Sequence, residues 1–581
     1  MTLSARALPL VLCLACLWPA HGAAQSAARG GEDPNRHQRV PFGLADGQTV
    51  EQVYVHLTNP GPDDSLNQQR RAEVAQAFGL RPSNAFNQFL AESGMAQVRR
   101  LPAVQSVELR VYSVSGGGSQ VAVALLVTLG AAPEAPPATG MVATKRADEF
   151  PKLWQDDRSL FKLIVNPAVG VYADRDPWID NPGAFVGLPE RTRANVAEGG
   201  LELGVGGISR LGASNSYLYG AVSYVGSTTL GRDIYTDDDA RAHVEIEDLY
   251  AGVLVARKNS RRSLNLSVGR QKFSLNRNLL IGHVLGAGNG GERAASNLSP
   301  RNAYDMTVDA RLHLGDFTLQ AWMADPNEVP AGDTHSRYTG LNFTFNNNKT
   351  IDASLTLLAV PRSAAAYVFP DGGRSSREGL RAVNPRARWN SAFQVPGLWL
   401  EAEWAHQWHD HIDMSADGGG VWVGYQHTPA AWKPAALYRY AVFTGDDPNT
   451  PTFERFDTLT GGVQRDWAQG LDMIKVAINR NMRTHRVEVS AKPLDGLELS
   501  VDYYHFTADS PNNLGGQRPV STYGAGSLGQ EVTPTLQWMV GTKLYIQALA
   551  TFLVPGPALR QVLPEPTRTW KSYQLSFYWF L

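Results

Sequence analysis

Residues 398–409 decide the fold, and they read Leu-Trp-Leu-Glu-Ala-Glu-Trp-Ala-His-Gln-Trp-His. Alternate positions differ in character: the apolar set is Leu398, Leu400, Ala402 and Trp404, and the polar set is Glu401, Glu403 and Gln407. Because successive side chains of a strand point to opposite faces, this stretch predicts a strand with one apolar and one charged face. A soluble sheet has the same pattern, so this segment alone leaves both interpretations open.

Other segments repeat the alternation and add aromatic residues to the apolar face. They are Tyr438, Tyr440 and Val442, which alternate with Arg439, and Tyr573, Leu575, Phe577, Trp579 and Leu581, which alternate with Ser572, Gln574 and Ser576. Rows of exposed aromatic side chains promote aggregation in water but are expected where a barrel meets the lipid interface. The repetition therefore favours a transmembrane antiparallel β-barrel.

Residues 159–581 contain eighteen such segments. They start near residues 161, 197, 215, 242, 263, 304, 317, 337, 350, 380, 398, 419, 433, 484, 497, 529, 542 and 570. An even number of strands of about ten residues fits an outer-membrane barrel. The side chains of so wide a barrel do not fill its lumen, so it is a channel or carries a plug. The predicted fold class is mainly β, with a barrel of about 18 strands after a small N-terminal α+β domain.

The composition excludes two other classes of protein. Of the 581 residues, 19% are charged and the net charge is -2, so the chain lacks the basic surface of a nucleic-acid-binding protein. After the first thirty residues, the longest apolar run is residues 121–132, which is too short for a transmembrane helix.

The first 24 residues have the layout of a secretory signal peptide. Arg6 precedes an apolar core from Leu8 to Trp18, and small residues follow it. Both cysteines, Cys13 and Cys16, lie in this leader, so we expect a mature chain without disulfides or a catalytic thiol. We expect a Gram-negative envelope protein with its barrel in the outer membrane, in contact with lipid and lipopolysaccharide, and its N-terminal domain in the periplasm.

Residues 46–130 predict a separate domain with the order β-α-α-β-β. The predicted strands are 49–57, 104–112 and 121–129, and the predicted helices are 69–78 and 83–100. This order and the run Leu101–Val107 resemble a POTRA domain, a small periplasmic module of outer-membrane barrels. The proline-rich stretch that follows predicts a linker over residues 131–158.

We expect residues 48–129 to dock a periplasmic scaffold or synthase through an exposed strand edge. The alternative is that this domain only occludes the periplasmic mouth of the barrel.

Residues 159–581 resemble the alginate-export family of outer-membrane barrels. The matching pieces are Val268–Phe273 with Leu279–Gly282, Phe453–Asp457, and Thr551–Gly556 before Trp570. The resemblance implies a monomeric eighteen-stranded barrel that passes an anionic polysaccharide to the cell exterior. One alternative is a general or anion-selective porin. Another is a polypeptide transporter of the Omp85 or two-partner-secretion type, although that family's Val-Arg-Gly-Phe/Tyr motif is absent.

The candidate transport pathway combines the polar face of the strands with two arginines of the family motifs. Its basic residues are Arg270, Arg311, Arg386, Arg388, Arg439, Arg455, Arg486 and Lys492, and its acidic residues include Glu202, Asp309, Glu401, Glu403, Glu488 and Asp502. Guanidinium groups lower the barrier for uronate or phosphate groups, and interleaved acids keep a polyanion from stalling, so we expect anion selectivity. The alternative is that these charges pair across strands and only stiffen the wall.

Arg270 has two possible orientations. Gly269 permits a β-bulge that would redirect the side chain of Arg270 into the lumen. Strict alternation after the outward residue Val268 would instead point Arg270 outward near a rim.

No catalytic, metal or cofactor site is predicted. The run His-Gln-Trp-His-Asp-His at 406–411 has metal-binding residue types, but His406 and His409 fall on opposite faces of a strand. The acidic segment 235–239 is interpreted as a solvated loop. Since the chain has no Gly-x-Ser-x-Gly elbow and no nucleotide-binding glycine loop, we do not expect an enzyme.

Overall fold

The computed structural model describes most of the chain after the predicted leader. The described residues are 38–114, 120–130, 152–156, 158–178, 192–212, 216–234, 240–256, 262–282, 293–369, 373–447, 449–461, 467–476, 479–510, 526–561, 563 and 568–580. The predicted signal peptide, most of the predicted linker 131–158 and the acidic segment 235–239 lie outside these residues.

The N-terminal α+β domain has the predicted β-α-α-β-β order. Its strands are β1 (Gln38–Val40), β2 (Thr49–Leu57), β3 (Val104–Ser113) and β4 (Gln120–Leu129), and its helices are α1 (Phe42–Ala45), α2 (Asp64–Phe78) and α3 (Gln88–Val98). The sheet order is β1-β3-β4-β2, with β2 parallel to β4 and the other neighbours antiparallel. The additional strand β1, which precedes the predicted order, covers the outer edge of β3.

The predicted start of the second helix, residue 83, is wrong. Helix α3 begins at Gln88, and the side chain of Asn87 caps it by accepting the backbone N–H groups of Phe89 and Leu90. The residues before it follow the edge of β2 instead, where the Val50 N–H donates to the Asn84 carbonyl at 2.8 Å. Ser83 has a positive φ of 66°, which ends any helical path there. Pairing with a distant strand therefore overrides the local helical pattern.

The rest of the chain is mainly strands. They are β5 (Lys152–Gln155), β6 (Ser159–Arg175), β7 (Arg193–Arg210), β8 (Ser216–Leu230), β9 (Ala240–Ala256), β10 (Arg262–Lys272), β11 (Ala303–Leu314), β12 (Phe317–Asp325), β13 (Arg337–Asn346), β14 (Ile351–Arg362), β15 (Ala366–Val368), β16 (Arg374–Ser376), β17 (Leu380–Asn390), β18 (Leu398–His409), β19 (Ala416–Gln426), β20 (Ala435–Phe443), β21 (Met482–Leu494), β22 (Leu497–Thr507), β23 (Ser527–Val540), β24 (Leu544–Pro555) and β25 (Trp570–Trp579). Two short helices, α4 (Met473–Val476) and α5 (Pro557–Arg560), lie in loops.

The strands β6–β14 and β17–β25 form a closed antiparallel barrel of 18 strands, as predicted. The last strand closes it on the first: Tyr578 of β25 pairs with Ala168 of β6, and the short β5 pairs with the beginning of β6. Every predicted strand start lies within four residues of an observed one, and the largest difference is 197 against Arg193.

The barrel is apolar outside and polar inside. Along β18 the polar set is buried and the apolar set is more exposed, which reverses the pattern of a soluble protein. Leu264, Leu266 and Val268 of β10 likewise lie on the outer surface with nearly half of each side chain exposed. Such a surface requires lipid around it. Among the residues described, no helix is both long and apolar enough to cross a membrane.

We expect Leu266→Arg to destabilise the barrel in lipid vesicles. Leu266 faces outward near the middle of β10. At the bilayer midplane an arginine on the lipid-facing side costs about 2–4 kcal/mol. Urea unfolding of the vesicle-inserted protein measures this loss. Leu211→Arg, in the turn after β7, is the matched control and should change the free energy of unfolding much less, by about 0–1 kcal/mol. Equal effects at both positions would contradict the membrane placement.

Candidate functional site

The two ends of the barrel differ in the lengths of their connections. At one end lie short turns, such as 315–316, 347–350 and 495–496, together with both ends of the barrel chain. At the other end lie long connections, such as 273–302 and 444–481. We call these the short-turn end and the long-loop end. In outer-membrane barrels short turns face the periplasm.

The N-terminal domain lies against the short-turn end of the barrel. The edge of β2 binds the turn between β13 and β14: the Val53 N–H donates to Asn348 Oδ1 at 2.9 Å, and Asn348 Nδ2 donates to the Val53 carbonyl at 3.0 Å. Asn346 Nδ2 donates to the Glu51 carbonyl at 2.9 Å. This part of the strand edge, which was predicted to dock a partner, therefore binds the barrel itself.

Several predicted pathway residues hold the domain in place. Arg388 Nε lies 3.1 Å from Glu51 Oε1, and Arg386 Nη2 donates to Gln120 Oε1 at 3.1 Å. Arg311 Nη1 donates to the Ser83 carbonyl at 2.9 Å. Because Glu51, Gln120 and Ser83 belong to the domain, these arginines link the barrel wall to it.

Further contacts join the domain to other parts of the wall. Lys162 Nζ at the start of β6 lies 3.2 Å from Glu92 Oε1, and both side chains are buried. Asn84 Nδ2 and His313 Nε2 are 2.6 Å apart. The domain is thus attached by hydrogen bonds and ion pairs at separate points around the lumen.

Phe89 is the main apolar anchor of the domain. It is fully buried, but among wall residues and not in the domain's own core; its cluster includes Leu160, Ile164 and Ile208. Gly206 leaves room for it, because a Cβ at that position would lie 2.1 Å from the phenyl ring. The anchor therefore depends on the absence of a side chain at Gly206.

Three of the predicted arginines lie on one row across the inner wall. Cross-strand register places Arg388, Glu401, Trp422, Arg439 and Arg486 side by side from β17 to β21. We call this row the arginine belt. All five side chains are buried.

The belt holds the connections that fold inward from the long-loop end. Arg277, from the connection after β10, lies 2.8 Å from Glu401 through its Nε, and its guanidinium stacks over Trp422 at 5.3 Å. Arg439 Nη2 donates to Gln469 Oε1 at 2.8 Å. The lumen is therefore occupied from both ends, by the domain and by these connections.

The predicted pathway residues also form ion pairs and hydrogen bonds within the barrel chain. Arg486 binds Asp502 at 2.7 Å and also contacts Glu488, and Arg386 binds Glu401 at 2.6 Å. Other ion pairs are Arg311 with Asp309 at 2.8 Å, Lys492 with Glu498 at 3.6 Å and Arg455 with Asp446 at 3.4 Å. Glu403 accepts the Trp467 indole N–H at 3.3 Å, and Glu202 accepts from Ser223 and Asn166. Lys492 lies near the short-turn end and Arg455 in a long connection, so neither belongs to the belt.

Arg270 lies on the outer face. The register shifts at Gly269, as a bulge requires, and Gly269 has a φ of 127°. Arg270 nevertheless pairs across the strand with the exposed Leu249 and contacts Asp305. The orientation given by strict alternation is therefore the one observed.

Sequence reasoning missed the residues that pair with the wall. Glu51, Gln120 and Glu92 belong to the domain, and Arg277 belongs to a connection. Nothing in their local pattern marks them, although Arg277 lies between two of the family motifs, Val268–Phe273 and Leu279–Gly282.

Burial between the domain and the barrel raises the pKa of Asp46 in the domain to about 6, because desolvation disfavours its carboxylate.

The histidine run 406–411 does not gather around one point. His406 Nδ1 lies 3.0 Å from Asp417 Oδ1, whereas His409 Nε2 contacts the Ser376 carbonyl at 3.1 Å. Within the described ranges, no group of three or more His, Cys, Asp or Glu residues is placed to hold a metal ion.

A closed barrel with a lipid-facing exterior and a polar lumen defines an outer-membrane β-barrel channel. The family model described as alginate export matches residues 213–568, which is more than half of the chain. The chain belongs to the alginate export family. No curated protein matches it.

Solved structures of outer-membrane proteins resemble the chain at low identity. OccK5 (OpdH) of Pseudomonas aeruginosa is 12% identical, with 73% of this chain and 98% of that chain covered and a TM-score of 0.43. The structure of OpdK with vanillate from the same organism is 12% identical, with coverages of 72% and 98% and a TM-score of 0.42. OccAB1 of Acinetobacter baumannii is 9% identical, with coverages of 72% and 96% and a TM-score of 0.45. At these sequence identities and TM-scores, the similarity does not indicate which substance this chain transports.

Proposed function

We propose that this outer-membrane channel exports an anionic polysaccharide. The arginine belt is the observation that carries the proposal, because it sets three guanidinium groups, Arg388, Arg439 and Arg486, in one cross-strand row on the inner wall. Guanidinium groups bind uronate carboxylates in a bidentate manner. Glu401 within the belt keeps this attraction from becoming permanent.

The domain gates the belt in this proposal. Arg277, Arg386 and Arg388 pair with three carboxylates, those of Asp352, Glu401 and Glu51. Only Glu51 belongs to the domain, so displacement of the domain removes one negative charge and leaves Arg388 paired with Glu401 alone, at 3.1 Å. Opening the channel then makes its wall more attractive to an anion.

The domain faces the periplasm in this proposal, since it lies at the short-turn end. Because the edge of β2 binds Asn346 and Asn348, a periplasmic scaffold or synthase that docks on residues 48–129 has two routes. Either the partner protein contacts the surface of the domain that faces away from the barrel, or it competes with the turn between β13 and β14 for the edge of β2. The second route couples partner binding to opening of the channel.

The reversal potential of the open barrel in a salt gradient tests the anion pathway. With residues 30–140 removed, we expect preference for anions over cations, and Arg386, Arg388 and Arg439 changed together to Ala should reduce it strongly. Arg381→Ala is the matched control, because this arginine lies on the same strand as Arg386 and Arg388 but on its outer face, with half of its side chain exposed. Cation preference in the unaltered wall would overturn the proposal.

Current block separates polysaccharide export from general porin activity. In the same open barrel, an oligosaccharide of uronic acids should interrupt the current, and a neutral dextrin of equal length should not. Passage of small anions without any block by the charged oligosaccharide would favour the porin.

A further inference from the structure

A cavity of about 400 Å³ lies between the N-terminal domain and one sector of the barrel wall. The domain side consists of Ser113 and parts of residues 40–48, and the wall side consists of parts of β6, β7, β10, β23, β24 and β25. We call it the seam cavity. The contacts through Arg386 and Arg388 lie in the opposite sector, on β17. Phe89 and the Lys162–Glu92 pair also hold the domain on β6 and β7, so the cavity is a gap between points at which the domain contacts the wall.

The lining of the seam cavity is suited to sugar hydroxyls. Asn166, Gln537 and Gln547 contribute side-chain amides from three wall strands, and Tyr545 and Tyr578 contribute aromatic rings. Amides donate and accept hydrogen bonds at once, which matches a hydroxyl group. Apolar ring faces provide contact for the C–H face of a pyranose.

Charge in the cavity is mixed. Lys272 Nζ lies 3.9 Å from Glu202 Oε2, and Asp46 faces the same space from the domain. A carboxylate on a passing sugar meets one cation with acids beside it. Such an arrangement permits contact without permanent capture, as in the arginine belt.

A clamped segment closes the seam cavity toward the long-loop end. Residues 297–300 cover it, and Glu198 of β7 holds them: its carboxylate accepts the Leu298 N–H at 2.8 Å and the Asn297 N–H at 3.0 Å. Thr229 Oγ1 also accepts the Ala295 N–H at 2.7 Å. The clamp consists of side chain to backbone hydrogen bonds, which release without unfolding a strand.

We propose that the seam cavity is a saccharide-binding section of the transport path, through which an extended chain passes between the docked domain and the wall. The inference rests on the proposed function and adds where the polymer runs. A volume of this size falls within the range of about 300–1,000 Å³ that ligand sites have, so it holds a short stretch of a polymer. Transport then requires release of residues 297–300 and enough movement of the domain to break the Arg388–Glu51 contact, but not the complete departure of the domain.

Cysteine accessibility in the full-length protein tests this path, since the only native cysteines are Cys13 and Cys16 of the predicted leader. Gln547→Cys places a thiol in the seam cavity, and Asn166→Cys does so from another strand. Gln320→Cys is the matched control, because Gln320 is a buried inward amide of the opposite sector. Reaction with a charged methanethiosulfonate reagent is followed by mass shift.

We expect both seam variants to react faster than Gln320→Cys by on the order of tenfold, since the control thiol needs a local opening. A uronic acid oligosaccharide should slow the reaction at both seam positions and leave the control unchanged. Equal rates at all three positions, or no protection by any oligosaccharide, would overturn the seam path. Protection by a neutral dextrin but not by the uronic acid oligosaccharide would support a saccharide path and refute the anionic substrate of the proposed function.

Discussion

Removal of residues 30–140 should raise the conductance of the purified barrel in planar bilayers from near zero to that of a pore narrowed only by the inward connections. The domain fills the short-turn end of the lumen and attaches to β6, β11, β13 and β17. An eighteen-stranded wall alone encloses more space than its own side chains fill. Removal of the domain therefore removes most of the barrier to ion flow at the short-turn end.

This measurement also decides between two roles of the domain. A rise in conductance identifies it as a plug. Unchanged conductance together with loss of export in cells would identify a docking module and would place the barrier in the inward connections held by Arg277 and Arg439. Circular dichroism of the shortened protein in detergent is the control for an intact barrel, since the β signal must remain.

The barrel could be predicted from the sequence because its signal is local. Each strand needs only period-two alternation within about ten residues, and lipid outside with water inside enforces that alternation on every strand. The alternation continues even through the bulge at Gly269, since Arg270 still pairs with the exposed Leu249. The strands of the domain were predictable from local apolar runs and from the glycine-rich turn between two of them, whereas the start of α3 depended on pairing with distant Val50.

The filling of the lumen could not be predicted in this way. Arg388 and Glu51 are neighbours in space but belong to different domains, and no periodicity relates them. The alternation along β17 assigns Arg388 to the inner face. It does not indicate whether water, a substrate or another part of the chain contacts that face. The row that joins Arg388, Arg439 and Arg486 depends on strand register, which short-range alternation leaves undetermined.

Phe89→Ala should shift the domain from docked to released and raise the open probability of the full-length channel. Phe89 is buried against the wall, and truncation of a buried phenylalanine costs about 3–5 kcal/mol. The polar contacts of the interface do not make up for this loss of docking free energy. Their groups form hydrogen bonds with water when the domain is released, so these contacts add little net stability to the docked state. The domain itself should stay folded, since the ring lies outside its core.

A wall-side variant reaches the same state without altering the domain. In Gly206→Leu the new side chain occupies the site of the Phe89 ring, so single-channel recordings should show the same rise in open probability. Leu66→Ala, at an exposed position of α2, is the matched control and should leave the recordings unchanged. If both interface variants insert normally and remain closed, the apolar anchor does not hold the domain. The ion pairs at Lys162 and Arg388 would then be what fixes it.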